Sequence, residues 1–257
     1  MTTTRTILNV EPHGIDNIIS AGAGGRASQL MGHDAPILAG LLTPDAAVID
    51  RDDFLFLDKT NQWADNKNVT GSATATSAVG GTVVLDAGDP TNDQGVQIQR
   101  VISSFQLSAN KSVFFEARIK IGTSATGGQF FVGLATLDTT LFAFGEISAN
   151  DYVGFITDAT KQAGGDAGKM DFELKANGQS AEATTNAHTI ALDTYVRLGF
   201  KIDGTSTYQP FVDGSPITSP VSITNAPTGL MAPSFACLAE GAQPTMTIDW
   251  FWALLER

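Results

Sequence analysis

Ser112-Val113-Phe114-Phe115-Glu116-Ala117-Arg118-Ile119-Lys120-Ile121 decides how the rest of the chain is read. Side chains alternate across an extended strand. Val113, Phe115, Ala117, Ile119 and Ile121 therefore share one face, and Phe114, Glu116, Arg118 and Lys120 share the other. That pattern fits a strand with one face in a core. Outward from it, Gln129 to Leu134 is apolar nearly throughout, as expected for a strand covered on both sides. Val96 to Ile102 alternates as well, with Val96, Ile98 and Val101 expected inward and Gln97, Gln99 and Arg100 outward.

Short apolar stretches repeat along the chain: Phe54 to Leu57, Thr82 to Leu85, Tyr152 to Ile156, Met170 to Lys175, His188 to Leu192, Tyr195 to Ile202, Tyr208 to Val212, Phe235 to Leu238 and Met246 to Leu254. Asp203-Gly204, Asp213-Gly214 and Asn177-Gly178 can take the positive φ of tight hairpin turns. Gly127-Gly128 and Gly164-Gly165 mark longer loops. Thr139 to Phe144 alone reads as a short helix. Many strands between turn signals make an all-β sandwich or barrel.

The 257 residues suffice for one large β domain with an appendage. Residues 1–52 form the appendage and residues 53–257 the domain. The first segment is broken by Gly14, Gly22, Gly24, Gly25, Gly32 and Gly40, and by Pro12, Pro36 and Pro44, so no period survives for long. It keeps Ile7, Leu8, Val10, Ile15, Ile18, Ile19, Leu30, Met31, Ile37, Leu38, Leu41 and Leu42, more apolar side chains than a solvated tail carries. An irregular but apolar arm needs a surface, on its own sandwich or on a neighbour, and these twelve residues are its candidate interface.

Charged residues are 16% of the chain and the net charge is −12. An acidic surface repels phosphates, so no nucleic-acid partner is expected. No run reaches membrane-span length, so no membrane partner is expected. Met1 to Val10 lacks a basic region followed by an apolar core, and synthesis in a cytoplasm is expected. The single cysteine, Cys237, sits in an apolar run and reads as a buried small side chain.

Several segments, taken in order, resemble the concanavalin-like (laminarinase-type) jelly roll. Phe114-Phe115-Glu116-Ala117-Arg118-Ile119-Lys120 is similar to an early core strand of that family. Tyr195 to Gly204 and Tyr208 to Pro216 are similar to two later strands with a D-G-x-P turn, and Met246 to Phe251 to the closing strand. The resemblance covers roughly residues 53–257. It implies a two-sheet antiparallel sandwich whose first and last strands are neighbours, which would set Phe54 to Leu57 beside Ile248 to Trp252.

Hydrolases of this fold carry two glutamates and an aspartate on one strand, with the glutamates about 5 Å apart in one cleft. Here Glu11, Glu116, Glu146, Glu173, Glu182, Glu240 and Glu256 are scattered, no two within five residues. The chain is therefore expected not to be an enzyme. The resemblance implies a non-catalytic domain of the kind found in tailed-phage virion structural proteins. The expected role is a capsid decoration or cement protein on the virion surface, stabilising a phage head through arm and sandwich. Its partners would be the major capsid protein and copies of itself, in a homo-oligomer that the same analogy makes a trimer. The alternative is a carbohydrate-binding, lectin-like module on a fibre or adhesin.

Two further features bear on that alternative. The loop Asp86-Ala87-Gly88-Asp89-Pro90-Thr91-Asn92-Asp93 is rich in oxygen donors, which calcium prefers, so Asp86, Asp89, Asn92 and Asp93 are candidate ligands. The same residues also favour a solvated turn. Trp63 is the candidate glycan contact. Trp250 and Trp252 share one face of the last strand and Phe251 takes the other, which suggests core on one side and arm or neighbour on the other. His13, His33 and His188 lack metal-ligand spacing, and Gly22-Ala23-Gly24-Gly25-Arg26 lacks the Lys-Ser/Thr of a phosphate loop.

Overall fold

The computed structural model describes residues 47–68, 70–76, 80–143 and 146–257. The apolar arm residues named above, Ile7 to Leu42, lie outside the described residues. In chain order come β1 (Ala47–Asp52), β2 (Trp63–Asn68), β3 (Ser72–Thr76), β4 (Thr82–Asp86), β5 (Gly95–Arg100), β6 (Ser112–Gly122), β7 (Gly128–Ala135), β8 (Phe142–Ala143) and β9 (Glu146–Ile147). Then follow β10 (Tyr152–Thr157), the one-turn helix α1 (Ala159–Ala163), β11 (Lys169–Lys175), β12 (Glu182–Thr189), β13 (Tyr195–Asp203), β14 (Thr207–Val212), β15 (Ser215–Pro216), β16 (Val221–Ser222), β17 (Ala232–Ala239) and β18 (Thr245–Glu256).

The strands form two antiparallel sheets packed face to face, an all-β jelly-roll sandwich. One sheet runs β15-β14-β13-β6-β18-β4-β3, with β1 also on β18 and β16 on β14. The other runs β12-β11-β10-β7-β17-β5-β2. Between them lies a core in which the alternation read from β6 holds: Val113, Phe115, Ala117, Ile119 and Ile121 all face inward. Phe54, Trp63, Phe115, Phe235 and Phe251 form its aromatic centre, with neighbouring ring centroids 5.4–6.5 Å apart.

β18 is the organising strand. It pairs with β6 along its whole length, with β4 through Thr245–Ile248, and with β1 through Phe251–Glu256. The register shifts between Ile248 and Trp250, a bulge at Asp249. A bulge inserts one residue and so changes which parity faces in. Met246 and Ile248 enter the core before it, and Phe251 and Ala253 after it. Trp252 and Leu254 then pack on the opposite face, with Trp250 against them, the two-faced last strand that the sequence implied.

Four expectations need correction. The strand beside β18 is Ala47–Asp52, so the last six residues assigned to the arm belong to the sheet, and Phe54 to Leu57 is not a strand. The Phe54 amide donates to Asp52 Oδ1 at 2.8 Å and its φ is +49°, a tight turn that drives its ring into the core while Leu55 and Phe56 stay exposed. Arg100 and Val101 are exchanged: strict alternation continues through Arg100, whose guanidinium lies over core rings, and Val101 turns outward. Among the described residues the stretch expected as a helix, Thr139 to Phe144, shows none: Phe142–Ala143 is strand β8, paired with β9, and Phe144 lies outside the described residues. Finally, the strand expected from His188 to Leu192 starts and ends earlier, at Glu182–Thr189.

Candidate functional site

The outer face of the β10-β7-β17 sheet is closed by the chain itself. β7, β10 and β17 are buried at every position. Phe131, Ala135, Tyr152, Ile156, Ala236 and Leu238 are covered by Leu141, Phe142, Ile147 and Ala149 from the loop between β7 and β10. Two glutamines of β5 fasten that loop. Gln97 Nε2 donates to the Asp138 carbonyl at 2.5 Å and its Oε1 accepts from the Leu141 amide at 2.5 Å. Gln99 Oε1 accepts from the Asp138 amide at 2.9 Å, and its Nε2 donates to Ser234 Oγ at 2.9 Å. These amides satisfy loop backbone groups that burial would otherwise leave costly. Among the described residues the three central strands of this face are left with no exposed position.

The outer face of the other sheet carries a second apolar cluster. Ala47 of β1, Phe114 of β6, and Trp252 and Leu254 of β18 are buried there, with Ile49 and Trp250 packed against them. Beside it sits Glu116, paired across the sheet with Trp252 on one side and Gly199 on the other. Glu116 is 1% exposed. Its Oε2 has no hydrogen-bond partner among the described residues. Burial pushes its pKa up to about 8, against the opposing charge of Arg197 and hydrogen bonding from Trp252. At neutral pH it is a protonated acid, which is how an apolar face tolerates it.

A groove of about 960 Å³ opens where β1 leaves the sandwich. Its walls are β1, the turn after it, the Asn61–Gln62 turn, Arg100 to Ser104 and Trp250 to Trp252. Arg100 organises the floor. Nη2 pairs with Asp50 Oδ1 at 2.9 Å and Asp52 Oδ2 at 3.3 Å and donates to the Arg51 carbonyl at 3.2 Å, while Nη1 donates to Gln62 Oε1 at 3.2 Å. Burial holds the Asp50 carboxyl above its usual range in spite of Arg100. The rim is apolar: Phe56 is 64% and Ile102 69% exposed. Sequence reasoning missed this site because β1 and the Arg100 side chain were both placed wrongly. Strict period two along Val96, Ile98 and Arg100 was the signal that pointed to it.

Trp63 is no glycan platform: it is fully buried, and its Nε1 donates to Asp52 Oδ2 at 3.0 Å from beneath the groove. The Asp86–Asp93 loop spends its oxygens on its own turns and neighbours. Asp86 Oδ1 accepts from the Gly88 amide at 2.8 Å and Gln243 Nε2 at 3.1 Å, and Asp89 Oδ1 from the Thr91 amide at 2.8 Å. Asn92 Nδ2 donates to Glu240 Oε1 at 2.7 Å, and Gln129 Nε2 to Asp93 Oδ1 at 2.9 Å. Among the described residues no three His, Cys, Asp or Glu are grouped to hold a metal ion. Among the described residues no strand carries two glutamates; Glu116 and Glu173 lie on different sheets.

No family model and no curated protein matches the chain. Solved structures do. An endo-1,3-β-glucanase from Streptomyces sioyaensis aligns over 83% of this chain and 98% of its own at TM-score 0.56 and 12% identity. A Bacteroides ovatus family 16 glycoside hydrolase of a mixed-linkage glucan locus, in complex with its product, aligns over 79% and 98% at TM-score 0.55 and 13% identity. A botulinum neurotoxin type C structure, described as entering cells through two ganglioside molecules, aligns over 81% of this chain and 47% of its own at TM-score 0.52 and 9% identity. At such identities the likeness is one of fold. The chain has the concanavalin-like jelly-roll sandwich of laminarinase-type proteins.

Proposed function

We propose that the chain is a non-catalytic virion structural protein, a decoration or cement protein of a tailed-phage capsid. The observation that carries this reading is the second apolar cluster of Ala47, Phe114, Trp252 and Leu254, outside the core and at the root of the arm. These four side chains are already buried on the outer face, so they fix the root of the arm to the sandwich. In this reading the apolar residues earlier in the arm serve a neighbour. The arm adds apolar area across subunit boundaries at about 25 cal/mol per Å². The face covered by the β7–β10 loop and the scattered glutamates argue against glycoside hydrolysis. The partners in this reading are the major capsid protein and further copies of the chain, as a homo-oligomer on the capsid surface, after synthesis in a host cytoplasm. No cofactor is required.

Co-sedimentation tests it. The full chain is expected to pellet with native head particles. A chain lacking residues 1–46 is expected to stay in the supernatant while unfolding as cooperatively as its parent. Full-strength pelleting of the shortened chain, or no pelleting of the full chain, overturns the reading.

A second reading, a carbohydrate-binding module, draws on the groove, where exposed Phe56 and half-buried Trp250 stand beside Asp50, Asp52 and Gln62. A glycan screen separates the two, since only this reading expects a hit that is lost on Phe56→Ala.

A further inference from the structure

One end of the sandwich is apolar and the other is not. In the second sheet β7 and β17 pair through Ala135 and Ala232, and β17 and β5 through Ser234 and Gln99. The last residues of β7 and β5 and the first of β17 therefore lie at the same end. Leu137 follows β7 there, Val101 and Ile102 follow β5, and Leu230 precedes β17. All four side chains are exposed, and Ile102, Leu137 and Leu230 expose half or more of their surface. At the opposite end Leu192 stands alone in this among the described large apolar side chains. The core does not need the four as a plug, because Phe105 and Met231 already seal it and are fully buried. The backbone beneath them is held in place. The Ser104 and Phe105 amides donate to the Met231 carbonyl at 3.1 and 3.0 Å, and the Met231 amide donates to the Phe105 carbonyl at 2.7 Å. The Val101 amide donates to the Gln62 carbonyl at 3.0 Å, and Gly229 lies against Thr136 Cγ2. Apolar side chains gathered at one end mark an interaction site, and a backbone already fixed presents them at little ordering cost.

We propose that this end of the sandwich docks on a partner protein whose surface is apolar at its centre and basic around it. Charge selects that partner. Carboxylates outnumber cations beside the patch: Asp50, Asp52, Asp53, Asp58 and Asp138 stand against Arg51, Lys59 and Arg100. Lys59 is taken up by Asp65, and Arg100 by Asp50 and Asp52. Asp53, between the groove and the patch, is exposed. The chain as a whole carries −12. Facing like charges disfavour a second copy of this chain and an anionic lipid surface, whereas a basic rim complements the patch. The assignment rests on the capsid reading: the partner is the head shell, and the contact is one that the sandwich makes by itself.

Co-sedimentation with native head particles tests it, using the full chain throughout. Ile102→Asp with Leu230→Asp is expected to weaken pelleting about tenfold or more. Both side chains are exposed, so urea unfolding of this variant is expected to stay as cooperative as in the parent. Leu192→Asp, at the opposite end, is expected to pellet like the parent. Asp53→Lys is expected to weaken pelleting severalfold at low salt and to make little difference at high salt, where the charges are screened. Parent-like pelleting of the Ile102 and Leu230 variant overturns the assignment and leaves the capsid reading standing, whereas no pelleting of the parent removes both. Stronger pelleting of Asp53→Lys at low salt overturns the basic rim. Parent dimers in sedimentation velocity that the double variant dissolves mean that a second copy is the occupant. Flotation of the parent with phosphatidylcholine vesicles, lost in that variant, means a lipid surface, and either result overturns the proposal.

Discussion

The guanidinium of Arg100 lies 4.5 Å from the ring centre of Trp63, and both side chains are held by Asp52. Trp63 Nε1 donates to Asp52 Oδ2, and Arg100 pairs with that oxygen and with Asp50. One cation thus joins the edge strand β1, the strand β5 and the aromatic core, where Phe251 lies 5.4 Å below it. The arrangement links how the fold is closed to how the groove is shaped.

Removing Arg100 leaves two carboxylates, on a strand with only one partner among the described residues, without their counter-charge. The side chain is 11% exposed, so solvent replaces little of what is lost. Breaking such a pair costs about 3–5 kcal/mol. Arg100→Ala is expected to lower stability by that order in urea unfolding, and Arg100→Lys by less, because an ammonium keeps the charge but not the fork that reaches Asp50, Asp52 and Gln62 together. A loss under about 1 kcal/mol for Arg100→Ala, the range of an exposed pair, would show that β1 is held by β18 alone.

Glu116 sets a pH dependence of stability. Folded, it titrates at about 8 against an ordinary 4.5. Between those values the folded chain keeps a proton that the unfolded chain has released, so stability falls as pH rises through that window and levels off above about 8. Glu173, raised by burial to about 7, adds the same sign over a shorter range. His188, lowered by burial, opposes it on the acid side of its ordinary 6.5. Glu116→Gln removes only the first contribution. The variant is expected to match its parent near pH 5 and to exceed it by about 2–4 kcal/mol at pH 8.5, since each tenfold difference in proton affinity between the folded and unfolded chain is worth about 1.36 kcal/mol. Parallel pH profiles would mean that Glu116 is ionised in the folded chain.

The strands legible in sequence were those whose apolar pattern alone demands a buried face: β4, β5, β6, β7, β10, β11, β13, β14, β17 and β18. The turn after β14 is equally legible, since Asp213 and Gly214 adopt φ of +51° and +79° where the Asp-Gly pair marks it. Apart from the two-residue strands, those that sequence did not reveal, β1, β2 and β3, read AVIDRD, WADNKN and SATAT. They are polar, and they lie at edges or beside a strand end, where pairing comes from a neighbour rather than from an apolar face. Phe54 to Leu57 has the composition of a strand, but the Asp52 side chain turns the backbone first. The groove was illegible for the same reasons, because its walls are a polar edge strand, a turn and an arginine at a core-facing position. The covered face of the second sheet was half legible. The continuous apolar run of β7 demanded a cover, but nothing in the β7–β10 loop announced that it supplies one.

That cover rests on Gln97 and Gln99, which makes it separable from the fold. Losing the Gln97 amide strands the Leu141 N–H and the Asp138 carbonyl, at a cost of about 1–3 kcal/mol. Gln97→Ala is expected to keep the sandwich cooperative, to speed proteolysis between residues 138 and 148, and to raise binding of an apolar dye as Phe131 and Ile156 are uncovered. Unchanged proteolysis would place the hold on the loop in its apolar contacts instead.

Calcium gives the last test. The Asp86–Asp93 loop has the composition of a calcium site, yet each of its side chains already serves another group. Asp86 and Asp89 cap the Gly88 and Thr91 amides of their own turns. Asn92 and Asp93 reach instead toward Glu240 and Gln129 on the far side of the loop. These bonds occupy one oxygen each of Asp86, Asp89 and Asp93, and among the described residues no three acidic, His or Cys side chains are grouped to hold an ion, so the six to eight oxygens of a calcium site are not assembled. A bound ion raises the unfolding temperature in proportion to the logarithm of its concentration over its dissociation constant. Millimolar calcium, or its removal by chelator, is therefore expected to leave the midpoint of thermal unfolding where it is. An upward shift that Asp89→Asn leaves intact but Asp93→Asn removes would locate an ion at the Asp93–Glu240 side. A shift removed by Asp89→Asn would mean that the loop rearranges around calcium as its composition suggests.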